Sequence, residues 1–344
     1  MQCVLAVDGG NTKTIAFVAA LDGTILGSGR GGCGDIHNAS RDGQHAPDEA
    51  LSNVEHAVLT ALQNANRAST DLVTGVFNMA GADWPEDFAF LQSVMEKRGY
   101  GSRILVQNDA LGVLHASTID NVGVSIVCGT GAATGARGPD GRVWHSSFWQ
   151  IDAEGSIDLS RKTLAAVFRS ELGIDQPTTL RERVLDYYKL KTVEEVLYYL
   201  TKRENRALQL RRTDTLTPIV LEEAEAGDAI ARQIVQEHGR SLGNYAIVAA
   251  QKVGIEKIPF TLVLAGGVFR NSTSILADAI IARVRIASPQ AQPTRARFEP
   301  IVGVLFTALE MAGTAINSTL LDRLVPTIPD AKLFETTSSS ASQL

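Results

Sequence analysis

The chain has 344 residues, 44% of them hydrophobic and 20% charged, with a formal net charge of −6. That length accommodates two domains of ordinary size, each able to close its own core. An acidic balance without any basic block or Lys/Arg stripe excludes the electrostatic footprint of a nucleic-acid binder. No apolar run reaches the roughly 20 residues of a membrane span. Met1–Asn11 lacks the basic start of a secretory segment, so a cytoplasmic protein with no membrane partner is expected. Cys3, Cys33 and Cys128 form no CxxC pair and the histidines show no metal-ligand spacing, which implies reduced thiols and no zinc site.

The first segment, Cys3 to Gly29, reads as strand, Gly-rich turn, strand, Asp22-Gly23 turn, strand. Leu51, Val54, Val58, Leu62 and Ala65 then recur at helical spacing, with Pro47 near the start. A strand follows at Thr74–Gly81, a helix at Pro85–Arg98, and a strand that ends at Asp109. Val122 to Ser146 repeats the opening: strand, Gly129-Thr130-Gly131 turn, strand, Asp140-Gly141 turn, strand. Two copies of one plan, more than a hundred residues apart, point to two domains of similar construction. Helices are expected at Ser160–Leu172 and Val193–Lys202, and over Thr217–Val253 with a break near Gly227. Phe260–Gly267 reads as a buried strand with a helix after it, and the last helix is expected at Ile301–Ala315. Strands alternating with helices make both halves α/β. The expected domains are 1–117 and 118–330, and the Ser/Thr-rich end, 331–344, reads as a disordered tail.

Chemistry concentrates at the strand ends. Asp8, Gly9, Gly10, Asn11, Thr12, Lys13 and Thr14 occupy the first turn. Glycines let backbone N–H groups turn toward a phosphate, the two threonines add hydroxyls, and Lys13 adds positive charge. Asp8, leaving a buried strand, is placed to hold a magnesium ion through water. An ordinary hairpin turn would look similar when taken alone. Gly129, Thr130 and Gly131 fill the equivalent turn of the second repeat, and the pair together would suit a triphosphate. Asp109 is either a helix N-cap or a general base for a substrate hydroxyl. Gly266 and Gly267 either admit a flat ligand such as adenine or serve tight packing.

The succession DGGNTKT, NDA, GTG and AGGV resembles the ATPase core of sugar kinases and acyl-CoA dehydratase activators. Within that group the chain resembles the BadF/BadG/BcrA/BcrD ATPase family, in its N-acetylglucosamine kinase-like branch. Glu154–Arg169, Thr217–Gly239 and Phe298–Glu310 extend the likeness over nearly the whole chain. The resemblance implies two ribonuclease H-like, actin-like ATPase domains with nucleotide in the cleft between them. It implies ATP and Mg2+ as cofactors, a sugar acceptor, and a homodimer. It assigns phosphate contacts to Asp8, Gly10, Asn11, Thr12, Gly129, Thr130 and Gly131, adenosine contacts to Gly266 and Gly267, and the catalytic role to Asp109. The sugar-contact candidates are Asp35, Asn38, Asn108, Asp152 and Glu154.

One stretch departs from the family pattern. Where the family carries Gly-Trp-Gly followed by Gly-Asp-Glu-Gly-Ser, this chain has His145 to Ser156 without the Gly-Trp-Gly element, and Ala153 stands in place of the Asp. A sugar sensor without turnover is one alternative reading. A second, an activator of a radical dehydratase, needs cluster-binding cysteines, and the sequence has none after Cys128.

Overall fold

The computed structural model describes residues 1–41, 43–118, 120–205 and 216–335. By its internal contacts the chain divides into two compact units: residues 1–122 joined by the segment from 296 onward, and residues 123–295.

The first unit begins with strands β1 (Cys3–Gly9), β2 (Thr14–Ala20) and β3 (Ile25–Gly31). A short ribbon follows, β4 (Ser40–Arg41) and β5 (Gln44–His45), and then helix α1 (Pro47–Asn64). Strand β6 (Leu72–Met79), helix α2 (Pro85–Lys97), strand β7 (Arg103–Asn108) and the single turn α3 (Gly112–His115) complete this run. The sheet order is β3-β2-β1-β6-β7, antiparallel among β1–β3 and parallel from β1 to β6 to β7. Strand β1 is buried on both faces because helices cover both, which explains its unbroken apolar run. Helix α1 lies on one face, burying Ala50, Val54, Ala57, Val58 and Ala61. It approaches so closely that a Cβ on Gly29 would stand 2.0 Å from the Ala57 carbonyl oxygen.

The second unit repeats the plan with β8 (Gly123–Cys128), β9 (Ala132–Arg137) and β10 (Val143–His145). Helices α4 (Ser156–Glu171), α5 (Leu180–Tyr188), α6 (Val193–Thr201), α7 (Thr217–Ala226) and α8 (Ala229–Lys252) follow. Strand β11 (Phe260–Ala265), helix α9 (Ile275–Ala287) and strand β12 (Ala291–Arg295) close it. The sheet order, β10-β9-β8-β11-β12, has the same sense at each position as the first sheet. The internal repeat read from the turns is therefore a repeat of topology.

Several boundaries move from their expected places. The helix expected from Ser160 starts at Ser156. The break near Gly227 is a complete C-cap, with Gly227 at φ +108° and Asp228 capping the next helix through Ala231 N. The last long helix is α10 (Pro300–Met311), and α11 (Ser318–Leu324) follows it. Helix α10 lies on the other face of the first sheet, where Ile301, Val304, Leu305 and Ala308 pack with Val4, Ala6 and Phe17. So the segment from 296 onward belongs by its contacts to the first unit, which differs from a second domain running to 330. Within the expected tail, the turn Ala331–Leu333 leads to Phe334, which is buried edge-on to Phe17 with ring centroids 6.3 Å apart. The remainder of that expectation, 336–344, lies outside the described residues.

Candidate active site

In the first unit the β1–β2 turn closes through Gly10 N donating to Lys13 O at 2.9 Å. Asn11 and Thr12 are exposed at its tip, whereas Thr14 is fully buried and donates its hydroxyl to Gly32 O at 2.9 Å. Gly9 permits the close pass of β1 along β6: a Cβ there would meet the Met79 thioether at 2.7 Å. Lys13 donates its ammonium to the Phe334 carbonyl. Burial pushes the Asp8 carboxyl up to about 7, with Lys13 opposing the rise and Glu299 adding to it.

The loop after β3 folds back onto this turn, with Gly34 N donating to Gly10 O at 3.0 Å. Asp35 is 3% exposed and accepts from His37 N at 2.8 Å and from Asn38 Nδ2 at 2.7 Å. Asn38 Nδ2 also reaches Asn11 Oδ1 at 3.0 Å, so candidates for phosphate and sugar contact touch. Gly81 leaves room for Asp35, since a Cβ there would stand 2.7 Å from its Oδ1.

Asp109 opens the short turn Asp109–Leu111 at the end of β7. Asn108 is the residue that caps this turn, accepting from Ala110 N at 3.1 Å. Its amide donates to Ala82 O at 3.0 Å and to Asp83 Oδ1 at 3.2 Å, so its polar atoms are engaged inside the unit. Burial, then the charges of Asp8, Asp83 and Asp35, push the Asp109 carboxyl up to about 8. A carboxyl held near neutrality among other acids has the character of a proton acceptor or of a partner for a cation.

In the second unit Gly129 N donates to Gly131 O at 2.8 Å. The N-terminus of α4 supports this turn from behind, Ser156 N donating to Gly129 O at 2.8 Å. Gly155 makes that contact possible, because its Cβ would lie 2.2 Å from Gly131 O and 2.4 Å from Gly129 O. A Cβ on Gly129 itself would meet nothing within 4 Å. Gly266 and Gly267 divide in the same way. Gly266 has φ +102° and a Cβ there would stand 2.3 Å from Cys128 O, a packing demand, while a Cβ on Gly267 would meet nothing within 4 Å. Cys128 is buried, and burial with the charge of Asp158 pushes its thiol up to about 12; Cys3, Cys33 and Cys128 are all free.

The segment 145–153 is built around Gln150, which is 4% exposed. Its carbonyl accepts from Thr134 and Ser146 hydroxyls, each at 2.9 Å, and its amide donates to Ala153 O at 2.8 Å. Phe148, Trp149 and Ile151 stand exposed beside it. Asp152 accepts from Tyr245 Oη at 2.6 Å and Ser241 Oγ at 2.7 Å, both from α8, and Glu154 is exposed. Sequence reasoning missed Gln150, Tyr245, Asp83, His37 and Asp87. Only Asp87 carried a local signal, as the third residue of a helix that opens on Pro85.

No helix among the described residues is long and apolar enough to cross a membrane. The model of the BadF/BadG/BcrA/BcrD ATPase family matches residues 5–308. An N-acetylmuramic acid/N-acetylglucosamine kinase of Clostridium acetobutylicum is 25% identical over 274 residues, covering 79% of this chain and 87% of that protein. An N-acetyl-D-glucosamine kinase of Dictyostelium discoideum is 23% identical over 315 residues, covering 90% of this chain and 98% of that protein. Among solved structures, a candidate N-acetylglucosamine kinase of Chromobacterium violaceum superimposes with a TM-score of 0.64 at 18% identity, over 90% of this chain and 99% of that one. The chain shares the fold of that structure, with two five-stranded sheets of one topology, and it belongs to the BadF/BadG/BcrA/BcrD ATPase family.

Proposed function

We propose that the chain transfers the γ-phosphoryl group of ATP to a hydroxyl of an amino sugar, with N-acetylglucosamine or glucosamine first among acceptors. The observation that carries this reading is Asp109, an acid raised to about 8 at a strand end, in a family whose curated relatives are amino-sugar kinases. Asp109 accepts the proton of the attacking hydroxyl. The turns at Gly9–Thr14 and Gly129–Gly131 hold phosphate oxygens, and Gly267 leaves space for adenosine. Asp35, Asn38 and Asp152 orient the sugar, while Asn108 fixes the turn from which Asp109 projects. Asp8, with a carboxyl held near 7 beside Glu299, fits a nearby magnesium ion, which would neutralise charge on the transferring phosphoryl group. A cytoplasmic location and a homodimer accompany the reading by family resemblance.

The altered segment 145–153, with Gln150 at its centre, favours one second reading, a sugar sensor that binds without turnover. The experiment is coupled ATP turnover across N-acetylglucosamine, glucosamine, N-acetylmuramic acid, glucose and N-acetylmannosamine. Stimulation by one or more amino sugars supports the kinase. Sugar binding by calorimetry without stimulated turnover replaces it with the sensor.

A further inference from the structure

Asp87 gathers three N–H donors on one carboxylate oxygen. Its Oδ2 accepts from Trp84 N at 2.9 Å and Asp83 N at 3.3 Å, which caps helix α2, and it lies 3.1 Å from His37 Nε2. An ionised carboxylate only accepts, so the proton of this contact sits on Nε2. One carboxylate oxygen each of Asp83 and Asp87 and a ring nitrogen of His37 fall within 4.8 Å of one another. Three donors already satisfy Asp87 Oδ2, so a helix cap with a docked imidazole accounts for the cluster without a cation.

His37 lies between the two candidate sugar contacts of the loop. Its backbone N–H donates to Asp35 Oδ1, and Asn38, its neighbour, donates to Asp35 Oδ2. The other side of the loop is held by His45 of strand β5, whose Nε2 meets Ile36 O at 2.9 Å. Asp83 in turn holds Asn108, which caps the turn of Asp109. One capped helix end therefore ties the loop of Asp35 and Asn38 to the turn of the proposed base.

We infer that His37, docked on Asp87, is a positioning residue that sets the acceptor loop against Asp109 and so governs sugar binding in preference to nucleotide binding. This inference rests on the kinase reading above. His37 N–H and Asn38 Nδ2 both donate to Asp35, and Asn38 in turn reaches Asn11 of the first turn, so an imidazole deletion acts first on Asp35 and Asn38. Removing the ring leaves Asp87 with two backbone donors, so no buried charge is orphaned and the fold survives.

The test uses the full chain, with His37→Ala and His37→Gln beside the wild type, on the sugar that the wild type phosphorylates best. His37→Ala should raise the KM for sugar about tenfold or more, the scale of one lost hydrogen bond to a charged group. The KM for ATP should stay within about twofold and the thermal midpoint should hold. His37→Gln, which keeps a donor near the Nε2 position, should recover most of the loss. An unchanged sugar KM, or equal rises in both KM values with a lowered midpoint, overturns the inference. A wild type that phosphorylates no sugar sinks the kinase reading instead. Amide hydrogen exchange then decides the positioning claim: His37→Ala must speed exchange over residues 34–39 while helix α2 stays protected, and unchanged exchange there overturns it.

Discussion

At the scale of single residues, the pH behaviour of Asp109 separates a proton acceptor from a helix cap. Its carboxyl is raised from the ordinary value of 3.8 to about 8, first by burial and then by Asp8, Asp83 and Asp35. The folded state therefore holds the proton more tightly than the unfolded chain. That contribution to stability is complete below the unfolded value near 4 and is lost as pH rises through about 8. Asp109→Asn carries no such proton, so thermal unfolding should show it gaining on the wild type between pH 5 and pH 8.5, with little difference at the acid end. In the kinase reading the same variant lowers kcat by at least about 100-fold, the scale of a lost general base. Nucleotide affinity, read by calorimetry, should barely change. Near-normal turnover would reduce Asp109 to a structural acid, and the capping role is already taken by Asn108.

Elements show the same economy in their glycines. The turn at Gly129–Gly131 is shaped by the N-terminus of α4, and Gly155 brings the two within reach. Gly155→Ala pushes a methyl against two carbonyl oxygens that cannot move apart without opening the turn. A cost of about 1–3 kcal/mol in stability is expected, the usual range for an overpacked position, together with weaker nucleotide binding. Gly129→Ala meets no neighbouring atom, so the thermal midpoint should be unaffected. If that open space is where phosphate oxygens approach, the variant should still weaken ATP binding by about tenfold, or 1.4 kcal/mol. A Gly129→Ala protein that binds ATP as the wild type does would remove this turn from the site.

On the scale of the whole molecule, the chain past residue 296 serves the unit in which the chain began. Helix α10 covers the first sheet and crosses α3 where Gly303 meets Gly112: a Cβ on Gly303 would stand 1.9 Å from the Gly112 carbonyl oxygen. Beyond it, Ile25 N donates to Thr327 Oγ1 at 3.0 Å and Arg30 donates to Leu333 O at 2.7 Å. Phe334 closes the path against Phe17, and its carbonyl receives Lys13 of the first turn. Phe334→Ala should cost about 3 kcal/mol, as truncation of a buried aromatic ring does. At about 2–4 °C per kcal/mol for a unit of this size, the thermal midpoint should fall by roughly 6–12 °C. A chain ended at Asp330 that melts like the full protein would show the packing of Phe334 to be inconsequential.

Local chemistry made much of this legible from the residues alone. Asp22-Gly23 and Asp140-Gly141 punctuate hairpins wherever they occur, and alternating or β-branched runs between such turns leave few options other than strands. The paired openings, the Gly-rich turns and Asp109 at a strand end were visible for that reason, and so was the α/β class. What stayed hidden depends on partners far along the chain. That Gly155 is required by Gly131, that Gly266 answers to Cys128, that Asp35 and Asn38 are tied through His37 to Asp87, and that Phe334 returns to Phe17 are facts of tertiary contact. None carries a period or a turn signature. The sequence by itself determined which strands, turns and repeat could form, because those follow from backbone preference and spacing. Tertiary structure decided which carboxylates act on one another and how far their protons are held, because burial and charge are summed over neighbours that only folding brings together.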